Sequence, residues 1–273
     1  WYGVLLYTDI IACFFVVIGF VTYVRNRHLI SSIAFILAIA SRQYMLAFPM
    51  AIATYEFIIA IKNIKSVGKI NLVQHWRWIA PLVAALSIFG WIYLFGGLAP
   101  QTGLEVSRTP SVQKTTWAFT FGGAINFLSF VGFYIVIPEF ILFRPRVILQ
   151  ILKKRRKIIL IAVGLLLCFF VFPPLLKGMG TVMKISKFLP YDILKLALFY
   201  SLSLLTCVRF SQLNLMSLII IFNSLIMIKA YPWDKYVLPI VVVFWYLKSL
   251  EIEDKFNIFK QQDVTQVFSN VKT

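Results

Sequence analysis

Charged side chains inside apolar runs cost free energy, roughly 3 kcal/mol at a bilayer centre on insertion scales, so the few that occur there are the first candidates for chemistry. Asp9 follows Tyr7 and Thr8 near the start of one apolar run, and Arg42 and Gln43 interrupt a second that extends from 29 to 61. Glu105 and Arg108 lie in a loop, 98–117, that also contains Gly, Pro and Thr. Near the C-terminus stands the run Tyr231-Pro232-Trp233-Asp234-Lys235-Tyr236. A carboxylate such as Asp9 or Glu105 can take the proton from an attacking hydroxyl. Arg42, Arg108 and Lys235, helped by Gln43 and Tyr236, can hold a departing phosphate, the guanidinium as a fork and the ammonium as a point charge. Each feature also has a plainer reading. Asp9 is then a solvated helix end and Arg42 an interfacial anchor. Glu105 and Arg108 are ordinary loop polarity, and 231–236 is an aromatic belt with a snorkelling lysine.

Other chemistries have no residues to carry them. The sequence holds no Gly-rich phosphate loop, HExxH, nucleophile elbow or CxxC. Cys13, Cys168 and Cys207 all fall in apolar runs and read as small buried hydrophobes rather than bridges or ligands. His28 and His75 flank apolar segments without metal-ligand spacing. Neither a metal nor another cofactor is expected.

The elements that must position these residues follow from composition. Of 273 residues, 60% are hydrophobic and only 14% charged, and the mean hydropathy is +0.86. A soluble body of this size cannot hide so much apolar surface, which excludes a cytosolic enzyme, a secreted disulfide scaffold and a disordered chain. The expected fold is all-α, a polytopic transmembrane helical bundle of about nine membrane segments, over 3–24, 29–41, 43–61, 79–97, 118–142, 158–176, 190–208, 213–229 and 236–250. The second is too short for a full crossing and meets the third at Ser41-Arg42-Gln43, and such interrupted helices usually line a cavity. Residues 1–250 read as one membrane domain and 251–273 as a polar cytoplasmic tail. Because residue 1 is Trp and an apolar run begins at once, further chain is expected upstream.

The net charge of +17 comes from Lys and Arg in the short gaps between apolar runs. Topology and contact with membrane lipid explain it, and no nucleic-acid partner is expected. Placing Arg25 and Arg27 in the cytoplasm also puts Lys62, Lys65, Lys69, Arg77, the cluster 144–157, Arg209 and the tail there. That side then carries twice the basic residues of the other. Asp9, Arg42, the loops 98–117 and 177–189, Asp192 and the 231–236 run all fall on the non-cytoplasmic side. Glu56 and Glu139 fall near cytoplasmic helix ends and read as interfacial.

The order Leu6-Tyr7-Thr8-Asp9, apolar helix, basic turn Val24-Arg25-Asn26-Arg27-His28, apolar run, Ser41-Arg42-Gln43-Tyr44 resembles the Y-T-D/E … F-R-Q-T-N-x-x-W stretch of one glycosyltransferase family. These are the dolichyl-phosphate-glucose α-1,2-glucosyltransferases, which add the last glucose to the dolichol-linked oligosaccharide in the endoplasmic reticulum. Phe95-Gly96-Gly97 with Ser107-Arg108 and the aromatics from Trp117 to Phe121 resemble the family's N-G-G … G-D-R/K loop. Lys235-Tyr236-Val237-Leu238-Pro239 is similar to its R-Y-x-x-L/I-P motif. Tyr44 and Met45 stand where the family has Thr-Asn, and no Gly-Asp precedes Arg108.

The resemblance implies a GT-C-like, metal-independent glycosyltransferase in a bacterial inner membrane or the endoplasmic reticulum, with its active face non-cytoplasmic. It would move a hexose from a polyprenyl-phosphate-linked sugar donor to a glycan or lipid-linked acceptor. Asp9 and Glu105 are then the catalytic candidates, unless the base lies in an external loop upstream of residue 1. Arg42, Gln43, Arg108, Lys235 and Tyr236 bind the donor phosphate, and Tyr7, Thr8 and Asp234 contact acceptor or sugar. A transporter or flippase of a lipid-linked sugar, and a non-catalytic membrane scaffold, are the alternatives.

Overall fold

The computed structural model describes residues 2–67, 72–97, 119–143 and 155–250, with side chains throughout these ranges except at 2–7, 64–67, 72–75 and 155. The described residues are helical, with no strand and one isolated bridge, Met179 to Trp233. Ten α-helices follow in order: α1 (Tyr2–Val24), α2 (His28–Ser41), α3 (Ala47–Val67), α4 (Leu72–Phe95), α5 (Gly122–Phe143), α6 (Arg155–Val171), α7 (Thr181–Lys187), α8 (Asp192–Arg209), α9 (Leu215–Ile226) and α10 (Leu238–Ser249). Each of the nine expected apolar segments overlaps one of them. Three helical stretches, Gln43–Asn63, Trp76–Phe95 and Gly122–Phe143, are long and apolar enough to cross a membrane. α7 falls where the sequence suggests an outer loop, and the expected tail, 251–273, lies outside the described residues.

Contacts divide the chain into two units, where the sequence reads as one membrane domain. The first comprises Trp1–Val106, Leu213–Asn223 and Val242–Thr273; the second comprises Ser107–Gln212 and Ser224–Val241.

In the first unit α1 packs on α2, α2 on α4 and α4 on α3. The turn from α1 to α2 is set by Asn26 in the left-handed conformation, φ 57°, which Asn tolerates better than most residues. The Asn26 N–H then reaches the Tyr23 carbonyl and the Arg27 N–H the Thr22 carbonyl, closing the end of α1. Phe20, Phe35 and Phe48 are fully buried. Phe20 meets both others edge-on, with ring centres 5.7 and 5.9 Å away.

α2 stops after Ser41 because Arg42 leaves helical geometry (φ −153°, ψ 114°). A 3-10 turn, Gln43–Leu46, follows and leads into α3. Pro49 falls in the first turn of α3, where the missing N–H has no helical partner to lose.

In the second unit α5 packs on α8, and α8 on α6. Gly132 makes the first of these contacts possible: a Cβ there would strike the Leu202 carbonyl oxygen and lie 3.1 Å from Thr206 Oγ1. Hydroxyl groups knit the same seam. Thr206 donates to the Leu128 carbonyl at 2.8 Å and Ser203 to that of Ile125 at 3.2 Å, the pairing of small and hydroxyl residues that lets apolar helices approach closely. Residues 132–136 of α5 form a π turn. Pro138, which follows at once, has no N–H to give the Tyr134 carbonyl, and a widened turn absorbs that loss.

Candidate functional site

In the first unit the break between α2 and α3 brings together residues far apart in sequence. Arg42 Nε lies 2.7 Å from Asp9 Oδ1, and the Tyr44 hydroxyl donates to the same oxygen at 3.2 Å. The Arg–Asp contact is close but not aligned as a straight hydrogen bond. The Asp9 side chain is 8% exposed and that of Arg42 25%. Asp9 is therefore held inside the bundle, and the Arg42 side chain is partly exposed with its Nε buried. Thr8 is partly exposed and Gln43 exposed beside them; the side chain of Tyr7 lies outside the described residues. The extended backbone at Arg42 creates this geometry, because a continuous helix would carry residue 42 onward with the turn below it.

A second polar cluster of the first unit sits deeper. Glu56, 3% exposed, accepts a hydrogen bond from Tyr23 and lies 3.4 Å from Arg77 Nη2. Instead of the headgroup-facing position expected for Glu56, the structure gives burial and two partners, because α1 and α4 close over that face of α3.

In the second unit Asp234 is the centre of a latch. Its Oδ2 accepts from the Tyr134 hydroxyl and from the Thr181 N–H, the latter at 2.7 Å. The π turn in α5 carries Tyr134. Gly180, with φ +114°, leaves room for the carboxylate, which a Cβ would strike. The Met179 N–H bonds to the Pro232 carbonyl at 2.9 Å. Asp234, expected to contact acceptor or sugar, thus has partners within the chain. The Lys235 ammonium rests 3.9 Å from the Trp233 ring centre and 5.7 Å from that of Tyr236, a cation–π arrangement. Tyr231, Trp233 and Tyr236, with Phe127, Phe130 and Gly123, line an apolar crevice.

Sequence reasoning missed a third feature. Arg209 grips Glu139 with two parallel hydrogen bonds, Nε to Oε2 at 2.6 Å and Nη2 to Oε1 at 2.8 Å. Both side chains are buried, at 4% and 0% exposure. Glu139 is therefore a buried, paired residue; opposite charges assigned to the same membrane side were the available signal. Cys168, expected to be buried, is exposed. Glu105 and Arg108 lie outside the described residues. Asp9 and Arg42 belong to the first unit, and Asp234, Lys235 and Tyr236 to the second.

Comparison of the chain with protein-family models, with curated proteins and with solved structures found no match.

Proposed function

We propose that the chain is a multi-pass membrane glycosyltransferase of GT-C type, with about nine membrane segments. It moves a hexose from a polyprenyl- or dolichyl-phosphate donor to a glycan or lipid-linked acceptor on the non-cytoplasmic face. The observation that carries this reading is the constellation of Asp9, Arg42 and Tyr44 at the break between two apolar helices. A partly exposed arginine side chain, held by a buried carboxylate, is suited to grip an anionic headgroup that arrives from the bilayer. The topology read from the basic residues places this break on the side away from the cytoplasm.

In the reaction, the acceptor hydroxyl attacks the anomeric carbon of the hexose. The bond from that carbon to the phosphate oxygen breaks, and the polyprenyl phosphate leaves with the electron pair. A carboxylate takes the hydroxyl proton. Arg42 holds the phosphate while its charge grows, with Gln43 as a neighbouring donor. Asp9, buried against Arg42, serves to orient it, so proton removal falls to Glu105. Thr8 and Tyr7 supply hydroxyls for the sugar.

Full-length protein, purified and supplied with a polyprenyl-phosphate hexose radiolabelled in the sugar, should transfer label to a glycan or lipid-linked acceptor. Absence of transfer from every such donor would reject the reading. The buried ionisable residue Glu56 favours a second reading, a transporter or flippase of a lipid-linked sugar, since such groups often mark pathways through helical bundles. Movement of the intact lipid-linked sugar across proteoliposomes, with no glycosidic bond made, would select it.

A further inference from the structure

The stretch from Lys177 to Lys195 carries four lysines and one acidic residue. That acid, Asp192, is joined to Lys195 at 2.7 Å, and Lys177, Lys184 and Lys187 are exposed. Helix α7 turns Val182, Met183 and Ser186 inward. Its outer side presents two stripes at i, i+3 spacing, Lys184 with Lys187 and Ile185 with Phe188. Phe188 is 87% exposed and Tyr191 68%. Water disfavours that phenylalanine and hydrocarbon disfavours those lysines, whereas the headgroup layer accepts both. The flanking helices agree. α6 ends in exposed Phe170 and Val171, and α8 begins with exposed Ile193 and Leu194, so the lysines lie between two apolar outer surfaces of the same unit.

We propose that 178–191 is an interfacial foot lying in the headgroup layer. Phe188 and Tyr191 enter the boundary of the acyl chains, and Lys177, Lys184 and Lys187 bind the phosphates of anionic phospholipids. The Asp234 latch, through Thr181 and Gly180, fixes the foot to the rest of the second unit, so its aromatic anchors set the depth of that unit in the bilayer. Three exposed lysines without a free acid beside them make an anionic surface the matching partner, each lysine near such a surface contributing roughly a fivefold preference. This inference is independent of the proposed transfer reaction.

The test uses the full chain with Cys13, Cys168 and Cys207 changed to alanine and Phe188→Cys labelled with an environment-sensitive fluorophore. It is reconstituted in phosphatidylcholine vesicles with or without phosphatidylglycerol. Nitroxide quenchers are placed either near the headgroup or deep in the acyl chain. The expected result is blue-shifted emission, quenched more by the shallow than by the deep nitroxide and shifted further by phosphatidylglycerol. The response to phosphatidylglycerol is lost in Lys184→Gln/Lys187→Gln. Water-like emission that neither nitroxide quenches overturns the proposal, as does stronger quenching by the deep probe. Shallow quenching indifferent to both phosphatidylglycerol and the lysine changes overturns it too, and blue-shifted emission that neither nitroxide reaches would mean that protein covers the surface. Should Phe188→Cys fail to fold, judged by size exclusion, Tyr191→Cys carries the same label and the same expectations.

Discussion

Among the carboxylate–guanidinium pairs of the described residues, Glu139–Arg209 of the second unit and Asp9–Arg42 of the first use the same chemistry to opposite ends. Glu139 and Arg209 meet with two aligned hydrogen bonds in a site closed to solvent. Asp9 and Arg42 meet with Nε 2.7 Å from Oδ1, with a quarter of the Arg42 side chain exposed. A closed pair, its geometry already satisfied, has little left to offer a ligand and serves to hold α5 and α8 in register. An open pair can exchange part of its internal contact for an arriving anion, because the guanidinium has donors beyond Nε. Burial and alignment, more than residue type, separate a structural staple from a candidate binding site.

The contrast is sharpest under truncation. Arg209→Ala leaves Glu139 buried without its partner, which should cost about 3–5 kcal/mol. Folded protein should largely disappear from size-exclusion profiles in detergent. Replacing both partners at once, Glu139→Leu with Arg209→Met, should restore much of it, since paired apolar residues of similar volume are often tolerated at such sites. Failure of the double replacement to recover any folded protein would assign the pair more than a packing role.

Close approach provides the next largest effect. Gly180→Ala introduces a Cβ into the Asp234 carboxylate at a backbone conformation that L-residues avoid, at about 1–3 kcal/mol. The thermal midpoint should fall, and tryptophan emission from Trp233 should change as the latch opens. Gly132→Ala should cost a similar amount by driving α5 away from α8. An unchanged midpoint in both variants would show that these seams are looser than described.

At the small end stands the exposed pair. Lys195→Ala removes the contact with Asp192, whose side chain is 73% exposed. The expected loss is about 0–1 kcal/mol, smaller still in high salt. A larger drop would mean that Lys195 supports the start of α8 in some further way.

Much of the helical layout was legible in the sequence, because apolar runs and Pro, Gly and charge boundaries are local signals. The break at Ser41-Arg42-Gln43 is the clearest case: a polar pair inside a long apolar stretch marks where α2 ends. The approach of Asp9 to Arg42 could be anticipated as one carboxylate and one guanidinium on the same expected side. What stayed hidden depends on contacts between distant segments. No local pattern shows that Tyr134 reaches Asp234, since that follows from the π turn and from the open space over Gly180. Glu139 lies near a helix end, which suits an interfacial position, and Glu56 lies mid-way along α3; only the packing of α1, α4 and α8 reveals their burial. α7 escaped notice because a seven-residue helix between Gly180 and Pro190 is shorter than periodicity can resolve.

The most direct test of the open pair is transfer by Arg42→Ala. Asp9 would keep the Tyr44 hydroxyl as a partner, so the variant should insert and elute as the wild type does while radiolabel transfer from a polyprenyl-phosphate hexose falls by at least about a hundredfold. Arg42→Lys, which keeps the charge but loses the fork, should recover only part of the rate. Transfer at the wild-type rate by a folded Arg42→Ala protein would remove Arg42 from the donor site and contradict the role assigned to this break between helices.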